Sequence, residues 1–138
     1  MTIRHKNKTF ATLLASVFGA IGMHRLYLYG RSDRWAWVHF LSLPLSLLAS
    51  RLWPEQPWLF THGPLVVSAL AGFLEALVIG LTPDEQWDAV HNPASGRTSA
   101  SNWPLAVLLV LTLGVGTTAL IATIARLFDL LYTGGAYG

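Results

Sequence analysis

Gly19-Ala20-Ile21-Gly22-Met23-His24-Arg25-Leu26-Tyr27-Leu28-Tyr29-Gly30 closes the first apolar run of this 138-residue chain. It sets a histidine, an arginine and two tyrosines where an apolar helix would leave hydrocarbon, so it reads as a structured interfacial turn and not as an active site. Together with the residues from Thr9 onward it makes a segment near the ~20 residues that a helix needs to cross a bilayer. Comparable segments follow at 35–52, 61–82 and 104–125, the last with a continuation to Tyr132. In lipid each segment must satisfy its own backbone hydrogen bonds, and these lengths are about twice that of a barrel strand, so helices are expected. The reading is an all-α integral membrane protein of about four transmembrane helices packed as a small bundle.

Composition points the same way. The chain is 53% hydrophobic and 12% charged, against about 25% charged in an ordinary globular domain. Cysteine is absent, which excludes disulfides and thiolate chemistry. The net charge of +2 arises mostly within residues 1–34, and no basic stripe is interleaved with aromatics, so no nucleic-acid partner is expected. The expected partner is the lipid bilayer, with a homo-oligomer or another membrane protein as a further one. Trp35, Trp37, Trp53, Trp58, Trp87 and Trp103 all fall at or beyond the edges of the apolar runs, the level that indole prefers.

The chain divides into a basic N-terminus, first helix and turn (1–34), second and third membrane helices (35–82), a polar loop (83–103) and a fourth helix with its tail (104–138). The second run is the weakest: Pro44 should kink it, and Ser42, Ser46 and Ser50 line it, so a re-entrant segment is an alternative there. Arg4, Lys6 and Lys8 before an apolar stretch also resemble a signal peptide, but the turn directly downstream fits a retained helix better.

Small residues recur at i, i+4 spacing in every run: Ala11, Ala15 and Gly19; Ser42, Ser46 and Ser50; Ser68, Gly72, Ala76 and Gly80; Gly114, Thr118 and Ala122. The four-membered stripe of the third run is the strongest candidate for close helix packing. Glu75 lies beside it, in the middle of an apolar run, and is the buried ionisable residue that needs a partner. His24 or Arg25 is expected to pair with it, and Arg126 with Asp129.

No catalytic residue is expected. His5, His24, His39, His62 and His91 lack zinc-binding spacing, the serines lack a nucleophile elbow, and no glycine loop cradles phosphate. No metal or other cofactor is implied.

Lys6-Asn7-Lys8, the helix from Ala11 to Phe18, and Gly19, Gly22, His24, Arg25, Tyr27 and Leu28 resemble the TM-two domain family, with Leu26 in place of a phenylalanine and Gly30 shifted by one position. The resemblance covers about the N-terminal third. It implies an integral membrane protein without established catalytic activity, opening on a two-helix hairpin. The motif turn would comprise Gly19, Gly22, His24, Arg25, Tyr27 and Gly30. The expectation is a non-enzymatic protein of the bacterial inner membrane with a structural or interaction role, or else a small transporter or channel component using Glu75. Arg4, Lys6, Lys8, Arg51 and Arg126 against Arg25, Arg31, Arg34 and Arg97 tip both termini to the inside.

Overall fold

Asn7 begins the first helix by accepting a hydrogen bond from the Phe10 amide, and the helix α1 then runs over Lys8–Phe18. The computed structural model describes residues 5–137, so Arg4 lies outside the described residues. A 3-10 turn at Gly19–Ile21 and Gly22, with φ at +74°, then reverse the chain, and α2 (Met23–Tyr29) returns alongside α1. The return is fixed by Phe10 packing edge-on against Tyr27 at 5.2 Å and by the Asn7 amide donating to the Tyr27 hydroxyl at 2.9 Å. The first apolar run, expected as one spanning helix, is therefore a folded-back pair. A positive φ is open mainly to glycine. A Cβ on Gly22 would also lie 2.8 Å from the Ala36 carbonyl oxygen.

Asp33 caps α3 (Arg34–Leu52), which carries Pro44. A short α4 (Trp58–Thr61) leads into α5 (Gly63–Leu81), whose second residue is Pro64, a residue suited to a helix start. α6 (Asp84–His91) occupies part of the segment read as a polar loop, and α7 (Trp103–Thr133) completes the chain after an Asn102 cap.

α5 is the central element, packing against α1, the 3-10 turn, α3 and α7. Its stripe does this: Ser68, Gly72, Ala76 and Gly80 are the buried residues of α5. At Gly72 a Cβ would stand 2.7 Å from the Gly19 Cα, so the two backbones meet as closely as glycine allows. At Gly80 it would meet Leu109 of α7 at 2.5 Å. The buried interior is small and mixed. Apolar Ala11, Ala15, Leu28, Ala36, Ala76, Trp87 and Leu105 share it with Thr12, His24, His39, Ser42, Ser46, Ser68 and Thr112. Among the polar bonds, Ser16 meets Thr112 at 2.7 Å between α1 and α7.

The four-span bundle is corrected by this arrangement. Among the described residues two helices are long and apolar enough to cross a membrane, Gly63–Leu81 and Trp103–Thr133, and only 22% and 11% of their apolar windows are buried in the protein. The apolar segment Lys8–Ile21 is too short, because the chain turns back at Gly22. α3, with its serines and Pro44, falls short in apolarity. A mostly exposed helical fold around an internal polar network is not a packed multi-pass bundle. The multi-pass inner-membrane location, the bilayer as partner and the two membrane roles built on them are corrected with it. Trp87, expected at an interface, is 1% exposed and donates from its indole to the Lys6 carbonyl at 3.1 Å.

Candidate site at the Glu75 network

Two elements, α2 and α3, bring polar side chains to Glu75 on α5. His24 Nε2 lies 2.5 Å from Glu75 Oε2, and Arg25 Nη1 donates to the same oxygen at 3.0 Å. From α3, His39 Nε2 lies 3.3 Å from Glu75 Oε1. Arg25 is shared, since its Nε donates to Asp33 Oδ2 at 2.6 Å. Asp33 uses the same oxygen to cap α3 at the Ala36 amide, 3.2 Å away. The carboxylate of α5 thus ties together the end of the helical reversal and the start of α3.

The electrostatics follow from these contacts. The hydrogen bond from Arg25, ahead of the opposing effect of burial, holds the Asp33 carboxyl below the usual carboxylate range. Burial lowers the Arg25 guanidinium, but Asp33 and Glu75 outweigh it and raise it above its ordinary value. His24 is fully buried, and its Nδ1 has no hydrogen-bond partner among the described residues. A proton on Nε2, facing Glu75, and a bare Nδ1 is the cheaper arrangement, because a second ring N–H would be buried without an acceptor.

Below Glu75 the network continues along α3 and α5. His39 Nδ1 lies 2.7 Å from Ser68 Oγ, and Ser68 Oγ donates to the Ala20 carbonyl at 2.6 Å. Ser42 donates to the His39 carbonyl at 2.6 Å. A serine, a histidine and a glutamate in sequence have the composition of a hydrolytic triad, but the geometry differs from one. The serine faces Nδ1 rather than Nε2, is buried, and aims its single proton at a backbone carbonyl instead of at the imidazole.

The same residues form the polar end of a groove between α3 and α5, with a volume of about 600 Å3. Its walls are apolar, with Trp35 and Val38 near Glu75 and Leu45 and Pro64 at the far end. From Trp35 to Leu45 it extends about 15 Å at the rise of an α-helix. A second groove of about 440 Å3, between α5 and α7, is lined by apolar residues and by Thr112 and Thr117, with no charged group.

Of the residues read from the sequence as a motif turn, Gly19 and Gly22 serve close approach and chain reversal, while His24 and Arg25 reach Glu75. Tyr27 binds the Asn7 amide, and Gly30, with φ at +77°, ends α2. Ser68, Gly72, Ala76 and Gly80 lie on the buried face of α5, with Ser68 inside the network. His91 and Asp84 are elsewhere: His91 packs on Trp87 at 4.3 Å, and Asp84 pairs with Lys8. Among the described residues no group of three or more His, Cys, Asp or Glu is placed to hold a metal ion. Sequence reasoning missed Asp33, His39 and buried Lys8. An Asp immediately before an apolar helix is a cap signal that was available for the first of these.

The TM-two resemblance places a two-helix membrane hairpin at the N-terminal third, whereas the two qualifying helices lie at 63–81 and 103–133, and this reading is corrected. Comparison with known proteins finds no match among family models, curated proteins or solved structures.

Proposed function

We propose that this chain is a non-catalytic binding protein for an elongated amphiphilic small molecule, held in the groove between α3 and α5. The observation that carries the reading is the way this groove ends: apolar walls run up to Glu75 and His39, which are fixed by Arg25, His24 and Ser68. Small-molecule sites are commonly concave, about 300–1,000 Å3 and apolar, with a few held polar groups that set orientation. The α5–α7 groove offers no such charged end. Ser68 gives its proton to the Ala20 carbonyl and not to His39, which supports a binding role over a hydrolytic one.

Calorimetric titration with dodecanol, below its aggregation limit, tests this reading. The native chain should bind it saturably, and Leu45→Trp, which narrows the far end of the groove at a half-exposed position, should weaken binding by about tenfold or more. Failure to saturate, or equal binding by Leu45→Trp, would overturn the reading.

A further inference from the structure

Arg34 opens α3 and is exposed. Val38, Leu41 and Leu45 follow it at four, seven and eleven positions, spacings that keep side chains on one face of a helix. All three line the groove, so Arg34 stands on the groove face, at the mouth beside Trp35. Helical side chains lean toward the N-terminus, and the long arginine stem carries its guanidinium into water at that rim. Arg31 is exposed at the same end, where its carbonyl accepts from the Trp37 indole at 2.8 Å. Neither arginine enters an ion pair among the described residues, whereas Lys8, Arg25 and Arg126 each do.

The charge at this end has one sign whatever protons the histidines hold. Arg25, Arg31 and Arg34 against Asp33 and Glu75 leave one positive charge, and a proton on His24 or His39 only adds to it. The two carboxylates are already engaged, Asp33 by Arg25 and the Ala36 amide, Glu75 by Arg25, His24 and His39. The uncommitted charges are the two guanidinium groups at the rim. The far end, at Leu45 and Pro64, has no charged residue in its lining.

Building on the groove reading above, we propose that the ligand is a single-chain amphiphile with an anionic head, received at the rim by Arg34 with Arg31 beside it. The chain lies along Val38, Leu41 and Leu45, and the head stays at the wet mouth, outside the Glu75 network. A guanidinium meets an oxyanion through paired N–H donors, whereas a hydroxyl gains one neutral bond and an ammonium is repelled.

The test compares dodecanoate, dodecanol and dodecylamine on the native chain by calorimetry, each below its aggregation limit and at low ionic strength. Dodecanoate should bind about fivefold or more tighter than dodecylamine, with dodecanol between them, and added salt should narrow the spread, since an exposed ion pair is modest and screened. Arg34→Glu, at an exposed first-turn position where a carboxylate suits the helix, should reverse the order of dodecanoate and dodecylamine. Arg51→Glu makes the same change of net charge at the other end of α3 and should keep the native order. If Arg34→Glu does not fold, the native comparison and its salt dependence decide. Equal binding of dodecanoate and dodecylamine by the native chain, the native order in Arg34→Glu, or a reversal in Arg51→Glu as well overturns the anionic head, while saturable dodecanol binding keeps the groove reading. Binding of none of the three overturns both.

Discussion

His24 and Glu75 meet at 2.5 Å although 51 positions separate them in sequence, and the meeting depends on the chain reversing at Gly22. A straight helix over 9–29 would carry His24 away from the middle of α5. The folded-back α2 delivers it there, with Arg25 beside it at 3.0 Å from the same oxygen.

Replacing Glu75 by Gln removes the charge that receives Arg25 and His24 but keeps the shape. Stability should fall by about 1–3 kcal/mol, the range for losing charged hydrogen bonds at a partly buried site. Equilibrium unfolding at constant m-value measures it, and a change below about 0.5 kcal/mol would mean that the network is not structural.

Glycine positions should separate sharply. Gly22→Ala combines a positive φ with a Cβ 2.8 Å from the Ala36 carbonyl, and Gly72→Ala drives a Cβ to 2.7 Å from Gly19. Each should cost about 1–3 kcal/mol. Gly114, inside α7 with nothing within 4 Å of an added Cβ, should gain about 0.5–1 kcal/mol on change to Ala. Melting temperatures of the three variants check the ordering.

How much of this was legible follows from what each signal measures. The stripe Ser68, Gly72, Ala76, Gly80 was readable because i, i+4 spacing defines one helix face, and α5 buries that face. Glu75 drew notice because an isolated carboxylate in an apolar run needs partners, and His24 and Arg25 are in contact with it. The number of spanning helices was not readable from run length. Hydropathy continues through Gly22 while the backbone reverses there, and the signal for reversal is a glycine whose φ the sequence does not display. His39 and Asp33 join the site through tertiary packing, which periodicity does not encode. α6 went unseen because its acid-rich turn resembles a loop in composition.

Asp84 and Asp88 hold the segment after α6. Ser101 donates its amide to Asp84 at 2.7 Å, and Ser99 donates to Asp88 at 2.6 Å. The Ser99 bonds hold Asp88 at about 2, and Lys8, the largest influence on Asp84, holds that carboxyl below the ordinary value. Both folded-state values lie below the unfolded one of 3.8. Their contribution is therefore complete above the unfolded value and is lost as pH falls through the folded one. Protection of the Ser99 and Ser101 amides, taken as exchange relative to the intrinsic rate at each pH, should be high at neutral pH and fall from about pH 4 downward through pH 2. Asp88→Asn should remove the protection of Ser99 already at neutral pH.

Lys8 is 4% exposed and donates to Asp84, to the Thr82 carbonyl and to Ser101 at 2.8 Å each for the last two. Lys8→Met keeps the aliphatic stem and deletes the ammonium, leaving Asp84 with the Ser101 donors alone and without its cationic partner, and taking the ammonium from the Thr82 carbonyl. A loss of about 2–4 kcal/mol is expected, since breaking a buried ion pair strands its partner. Lys8→Met/Asp84→Asn should recover part of it, which a double-mutant cycle measures.

The most direct measurement of the central claim is the orientation of a bound amphiphile. In an NMR experiment with dodecanol at saturation, nuclear Overhauser contacts should link its first methylene to His39 and its terminal methyl to Leu45 and Pro64. Contacts confined to Thr117 and Leu120 in the α5–α7 groove, or the reverse orientation between α3 and α5, would contradict the account.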